Sequence, residues 1–289
     1  MSAGETDTPP SPFTHLAIIG MGLIGGSVAL AARRSFPAVR ITAVDPNPET
    51  RRSVLESGCA DAAIPDLSPN LAEADLVVLA TPVPAIRETL PRLSSLLSSS
   101  AMVTDVGSVK GAVSEIGWQH LGARFVPGHP MAGSEKHGFG AARADLFSGA
   151  TWVLIPSGAP EQAPVLERVA GFVRGLGAVP LLLNSDEHDA CVALTSHVPH
   201  VAAYMLYAQA RQQGPDSPVW KLAAGGFHSA TRVAASSPEL WTGICLSNRD
   251  NVASVLRDLA QRLLNCADAL ETSDREHLLS LFQQGHRTG

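Results

Sequence analysis

Cysteine is scarce in this chain. The 289 residues contain four, Cys59, Cys191, Cys245 and Cys266, and no two form a Cys-x-x-Cys pair. That spacing suits neither a zinc site nor a disulfide framework, so no metal is expected. Four unpaired thiols point to a reducing, cytoplasmic setting. Basic charge is also short: 21 Lys and Arg against 27 Asp and Glu leave a net charge of -6. A general nucleic-acid binder would carry a basic stripe, so that class is set aside. Residues 1–12 hold three prolines and lack the basic start and apolar run of a signal peptide, so a disordered tail is expected there. The single uncharged run, Leu16 to Ala32, approaches the length of a membrane span. Its four clustered glycines fit a strand, a turn and a helix better, so no membrane span is expected.

What is present is a globular composition, 45% hydrophobic and 17% charged, enough for one large domain or two ordinary ones. Leu16-Ala17-Ile18-Ile19 reads as a buried strand ending at Gly20. Gly20-Met21-Gly22-Leu23-Ile24-Gly25 follows and opens an alanine-rich helix. This is G-x-G-x-x-G in its proper context. Gly20 makes the tight turn, Gly22 lets a pyrophosphate approach, and Gly25 lets helix and strand pack closely. The helix N-terminus at Leu23 and Ile24 offers N–H groups to phosphates. A second strand over residues 39–44 ends at Asp45, 20 positions after Gly25, where an acid binds a ribose 2′-OH. A carboxylate there repels a 2′-phosphate, so NAD is expected rather than NADP.

Strand and helix keep alternating. A helix is expected from Asn47 to Ser57, and an apolar strand over residues 76–80 ends at Thr81-Pro82. Strand ends on this side of a doubly wound sheet face the ligand crevice, which makes Thr81 a cofactor neighbour. The strand over residues 102–105 runs into Val106-Gly107-Ser108-Val109-Lys110 and a helix to about His120. Ser108 is either a helix cap, a ligand or both. A short strand over residues 124–126 delivers Gly128-His129-Pro130-Met131-Ala132-Gly133-Ser134-Glu135-Lys136 to the same crevice. Pro130 pushes His129 toward extended backbone, and a histidine so held can do proton chemistry near neutral pH. On its own the segment could equally be a Gly/Pro turn with a solvent-facing histidine. Strands over residues 151–155 and 179–183, with a helix from Glu161 to Gly175, are expected to extend the sheet.

From Ser185 onward no strand is expected. A long, mostly apolar and buried helix should run to about Gln213, kinked at Pro199. His197 and His200 share a face within it. They read either as core histidines with partners or as a metal pair that lacks a third ligand. Gly225-Gly226 ahead of Arg232 suggests a close approach and a fixed guanidinium suited to a carboxylate. Ser237 caps a helix with Pro238 at its first position, and amphipathic helices close the chain. The expected architecture is α/β: an N-terminal Rossmann-type doubly wound, mainly parallel sheet over residues 13–183, followed by an all-α domain over residues 184–289.

In this order and spacing, the motifs at 20–27, 105–110, 128–135, 196–200 and 225–232 resemble the prephenate dehydrogenase family over nearly the whole chain. The resemblance implies oxidative decarboxylation, in which prephenate and NAD⁺ give 4-hydroxyphenylpyruvate, CO₂ and NADH in tyrosine biosynthesis. By position, His129 accepts the ring-hydroxyl proton, and Ser108 links His129, substrate and cofactor. Arg232 anchors a substrate carboxylate. His200, with His197 in the same run, is a further substrate contact, and Glu135 is an acid at the mouth. Gly20, Gly22, Leu23, Ile24, Gly25, Asp45, Thr81 and Ser108 are the cofactor-binding positions. Lys110 is a second candidate source of positive charge for the dianionic substrate. The family also implies a homodimer through the helical domain. No chorismate mutase segment and no ACT domain are expected.

The sequence departs from the family pattern at Ser229, where many members carry an acid, which leaves arogenate or dual cyclohexadienyl specificity as the alternative. A β-hydroxyacid dehydrogenase would need a catalytic lysine in the helical half, where Lys221 stands without matching context. An NAD-sensing protein without catalysis would have no need of His129, His200 and Arg232 together.

Overall fold

A computed structural model describes residues 13–287. The tail expected over residues 1–12 lies outside the described residues. The first strand, β1 (His15–Ile19), is buried at every position. Its side chains alternate between two cores, as strand geometry demands. Leu16 and Ile18 pack with Val28, Phe36 and Phe172 on one face, while Ala17 and Ile19 pack with Ile86, Leu90 and Val113 on the other. This two-sided burial is why the strands read as continuous apolar runs.

The chain continues through α1 (Leu23–Ser35), β2 (Arg40–Val44), α2 (Pro48–Glu56), β3 (Ala62–Ile64), β4 (Leu76–Leu79), α3 (Val83–Leu96), β5 (Met102–Asp105), α4 (Gly111–Leu121) and β6 (Phe125–Val126). The six strands form one sheet in the order β3-β2-β1-β4-β5-β6, with every pair parallel. Reversal of strand order beside β1 opens the crevice where nucleotides bind in such folds. The expected doubly wound sheet is therefore present. β3 was not expected, because three half-buried residues carry no periodic signal.

One expectation is corrected. The strands after residue 126 do not extend this sheet. β7 (Gly128–Pro130), β8 (Thr151–Leu154) and β9 (Val179–Leu182), with α5 (Ala163–Gly175) between the last two, make a separate three-stranded sheet. β7 pairs antiparallel with β8, and β8 pairs parallel with β9. Pro127, between β6 and β7, has no N–H with which to continue a ladder. Pro180 lies on the edge strand β9, where a missing donor is tolerated.

The remaining elements are helical. α6 (Ser185–Val192) passes into a π-helical turn (Ala193–His197) and then α7 (Val198–Arg211). The widened turn is the form taken by the expected irregularity at Pro199, which offers no N–H to the preceding turn. α7 is less buried than its composition suggests: Met205, Leu206 and Tyr207 are all exposed on the single chain. α8 (Val219–Leu222), α9 (Gly225–Thr231), α10 (Pro238–Ser247), α11 (Arg249–Glu271) and α12 (Arg275–Gly285) follow. Ser237 Oγ accepts the Leu240 N–H at 3.3 Å, the cap expected of it. No helix among the described residues is long and apolar enough to cross a membrane.

Candidate active site

The glycine loop between β1 and α1 has the shape a dinucleotide needs. Gly20 has φ +93°, and a Cβ there would lie 2.6 Å from the Ala80 carbonyl oxygen. A Cβ on Gly25 would lie 1.9 Å from the Gly20 oxygen, so helix and loop touch backbone to backbone. A Cβ on Gly22 would meet nothing within 4 Å, which leaves an open approach to the loop. Gly22 gives α1 no side-chain cap. The first-turn N–H groups at Leu23, Ile24 and Gly25 have no acceptors within the helix and suit a phosphate. Asp45 stands beside the loop: its Oδ2 accepts the Met21 N–H and its Oδ1 the Asn47 N–H, both at 2.9 Å. Thr81, just after β4, has a buried hydroxyl with no hydrogen-bond partner, and its methyl group packs on Gly20. The residues present therefore fit a nicotinamide dinucleotide.

β7 carries His129 to the crevice end of the large sheet. Its backbone is fixed from below by Asp105 at the end of β5. Asp105 Oδ1 accepts the Gly128 N–H at 3.1 Å, and its Oδ2 accepts the Gly107 N–H at 2.8 Å and pairs with Lys110. Lys110 Nζ also donates to the Gly128 carbonyl at 2.7 Å. Lys110 is fully buried, so it does not supply the surface charge suggested for an anionic substrate. It holds the His129 strand in place. Gly128 has to be glycine here, because a Cβ would sit 2.8 Å from the Asp105 oxygen and 2.9 Å from Trp152 Nε1.

His129 Nδ1 shares a 2.8 Å hydrogen bond with His188 Nε2, and His188 Nδ1 donates to Asp189 Oδ1 at 2.7 Å. Asp189 also accepts the Lys110 N–H on Oδ1 and the Gly111 N–H on Oδ2, each at 2.8 Å. Asn248 Nδ2 donates to the Asp189 carbonyl at 2.7 Å and to His197 Nδ1 at 3.2 Å. This network joins the start of α4 to α6, the π turn and α11. Burial pushes His129 well below the ordinary histidine value of 6.5, and the neighbouring His188, Lys110 and His197 push the same way. It is therefore neutral at physiological pH.

A cavity of about 390 Å³ opens over His129, with Ser108, Glu135, Ser196, His200, Arg232 and Trp241 in its wall. His200 Nδ1 donates to the Ser196 carbonyl at 2.9 Å, and its ring stacks on Trp241 with centroids 3.5 Å apart. Burial lowers the pKa of His200, opposed by its bond to the Ser196 carbonyl. Arg232 donates to Glu135 Oε2 at 2.9 Å and is 62% exposed, within reach of an incoming carboxylate. Gly225 and Gly226 have open space around them, so the close approach expected there does not occur within this chain.

Of the expected substrate residues, Ser108, His129, Glu135, His200 and Arg232 share this cavity. His197 does not join them: it is fully buried behind the wall, packed edge-on to Trp241 at 6.0 Å, with its pKa lowered to about 4, mainly by burial. Sequence reasoning missed His188, Asp189, Asn248 and Asp105. The available signal was the His188-Asp189 pair on the buried face of α6, which directly follows the first-turn acids Asp186 and Glu187 and so looks like ordinary N-terminal acidity.

Comparison with known proteins agrees with this architecture. The family described as "Prephenate dehydrogenase, nucleotide-binding domain" matches residues 28–182, and "Prephenate dehydrogenase, dimerization domain" matches residues 184–284. The chain is similar to a prephenate dehydrogenase of Bacillus subtilis, 34% identical over 93% of this chain and 73% of that protein. It is also similar to a cyclohexadienyl dehydrogenase of Zymomonas mobilis, 34% identical over 95% of this chain and 94% of that protein. Among solved structures it resembles an A. aeolicus prephenate dehydrogenase in complex with hydroxyphenyl propionate and NAD⁺, with a TM-score of 0.85, 32% identity, and 94% and 95% of the two chains covered. With both family models matched in order across residues 28–284, and relatives 34% identical over more than nine-tenths of its length, the chain belongs to the prephenate dehydrogenase family.

Proposed function

We propose that this protein converts prephenate and NAD⁺ to 4-hydroxyphenylpyruvate, CO₂ and NADH, with His129 as the proton acceptor. The observation that carries this reading is a buried, neutral His129 in the wall of a cavity that also presents Arg232. NAD⁺ held at the loop over residues 20–25 and Asp45 would supply the hydride acceptor for the ring carbon that bears the hydroxyl. His129 draws off the hydroxyl proton as the hydride leaves, which a neutral imidazole can do and an imidazolium cannot. Loss of the ring carboxylate as CO₂ makes the ring aromatic, and the proton then returns to the ring oxygen. The residues mainly have to orient substrate and cofactor. Ser108 links His129, the substrate hydroxyl and the cofactor. Arg232 binds a substrate carboxylate through its fork of donors, and His200 adds a polar contact across the cavity.

On this reading residues 13–183 hold the cofactor, and residues 184–289 complete the substrate cavity and form a homodimer. The exposed Met205, Leu222, Leu246, Leu263 and Leu264 support a partner surface on the helical half. A cytoplasmic location belongs to the same reading, supported by four free cysteines.

Arogenate is the second reading, because its ammonium group would need a carboxylate. Glu135 is already paired with Arg232, and Ser229 brings no second acid, which favours prephenate. A side-by-side assay of prephenate and arogenate, each with NAD⁺ and NADP⁺, tests both choices. Prephenate with NAD⁺ should give the highest kcat/KM. Preference for arogenate would overturn the substrate, and equal rates with both cofactors would overturn the role of Asp45.

A further inference from the structure

We propose that His188 and Asp189 are positioning residues that fix which ring nitrogen of His129 carries its hydrogen, leaving His129 Nε2 bare for the substrate. This rests on the reading of His129 as the proton acceptor and adds the device that prepares it.

Both carboxylate oxygens of Asp189 accept backbone N–H groups, from Lys110 and Gly111. Toward His188, Asp189 is therefore an acceptor, and the 2.7 Å contact puts a hydrogen on His188 Nδ1. The other nitrogen of the His188 imidazole then presents a lone pair. That nitrogen, Nε2, lies 2.8 Å from His129 Nδ1, so His129 is the donor and its hydrogen sits on Nδ1. Nε2 is the nitrogen left for chemistry, and among the described residues no hydrogen bond claims it. The rings meet edge to face, at 74° with centroids 5.1 Å apart, which points the donor at the lone pair rather than at the ring face. A ring free to choose would divide between two tautomers, only one of which can accept a proton at Nε2.

The anchor is rigid. His188 and Asp189 are both buried, and Asp189 is tied by its main-chain carbonyl to Asn248 as well as by its carboxylate to the start of α4. The charged and titratable groups around His129 are His188 and Asp189 from α6, His197 from the π turn, and Lys110 and Asp105 beneath the strand. Glu135, His200 and Arg232 stand at the cavity. Of these, only His188 contacts the His129 ring through a hydrogen bond. The arrangement follows the logic of a catalytic histidine oriented by a third group, with a second imidazole inserted between base and carboxylate.

The test uses the full chain labelled with ¹⁵N-histidine, and steady-state assays with prephenate and NAD⁺. In the unsubstituted protein near neutral pH, His129 should show the Nδ1–H tautomer; the Nε2–H tautomer would overturn the proposal. His188→Leu removes the acceptor. It should shift His129 toward Nε2–H and lower kcat by ~10²-fold or more, with KM little changed, because the lost element is tautomer control. His188→Gln, whose amide oxygen can accept from His129 while its NH₂ donates to Asp189, should keep the Nδ1–H tautomer and recover most of kcat. A purely structural role would not produce that rescue. If His188→Leu does not fold, the native tautomer and the His188→Gln result still decide. If His129→Asn keeps its kcat, the base reading itself fails. If His129→Asn is inactive while His188→Leu is unimpaired, the base stands and only the positioning role falls.

Discussion

Arg232 reaches back 97 residues along the chain to donate to Glu135 Oε2 at 2.9 Å, so the cationic group facing the cavity already has a carboxylate on it. A substrate carboxylate has to share or take over that position. Arg232→Ala should therefore raise KM for prephenate by roughly 10- to 100-fold, the range for a hydrogen bond to a charged group, with kcat changed far less. Solvent exposure of the guanidinium favours the lower end. Arg232→Lys should not restore binding, because a point charge lacks the fork geometry. Initial-rate kinetics over a range of prephenate concentrations check both, and an unchanged KM would remove Arg232 from substrate binding.

Removal of the base should act on the other parameter. His129→Asn is expected to lower kcat by roughly 10²- to 10⁴-fold, the usual contribution of a general base, with a smaller effect on KM. The acid limb of the pH profile follows from the direction of the His129 shift. Burial depresses its pKa well below 6.5, so the neutral, accepting form persists as pH falls past 6.5 and is lost only at more acid pH. A kcat/KM limb centred at or above pH 6.5 would contradict that environment.

Two glycines of one loop should fail differently. A Cβ on Gly25 would sit 1.9 Å from the Gly20 oxygen, which neither backbone can yield. Gly25→Ala should thus destabilise the fold by about 2 kcal/mol or more, at the upper part of the range for overpacking. Gly22→Ala meets open space, so its melting temperature should stay near the parent value while NAD⁺ affinity falls. Thermal melts and NAD⁺ titrations followed by tryptophan fluorescence would separate the two. Equal loss of stability in both variants would refute the division of roles.

Acid should also unfold the protein by a nameable route. Burial lowers the pKa of His15, His129, His197 and His200, with His197 brought to about 4. Each binds a proton more readily when unfolded, at about 6.5. The stability they confer is full above 6.5 and is lost as pH falls through the folded values. Melting temperature should therefore decline from pH 7 toward pH 4. His197→Asn should flatten the slope even if it lowers the plateau; an unaltered slope would argue against His197 as a contributor.

The large sheet was legible because strands buried on both faces leave continuous apolar runs, and because Gly20, Gly22 and Gly25 each answer a separate steric demand. β3 was not legible, since three residues are too few to show a period. The break between the two sheets was written only in Pro127, one missing N–H between two short strands. Within the site, His129, Ser108, Glu135, His200 and Arg232 could be named from motifs that lie far apart in sequence. Lys110 and His197 were harder to place. Side-chain type tells that a group can be charged, but only packing shows that Lys110 points into the protein toward Asp105, or that His197 lies behind the wall. His188 and Asp189 escaped notice because they directly follow Asp186 and Glu187, whose first-turn acidity already has a sufficient local explanation in the helix dipole.

Asp189 ends the hydrogen-bonded chain behind His129 with its carboxylate engaged by Lys110 N–H, Gly111 N–H and His188. Both of its oxygens are engaged, and Lys110, His188 and Asp189 are all buried. The chain behind the base thus ends on a buried carboxylate held by three donors. On the proposed mechanism, a proton taken from the ring hydroxyl is held within the His129, His188 and Asp189 group until the ring becomes aromatic. The reaction balances without net uptake or release of a proton, and a base backed by a buried carboxylate suits that stoichiometry: a hydrogen taken from the oxygen at the start can be given back to it at the end.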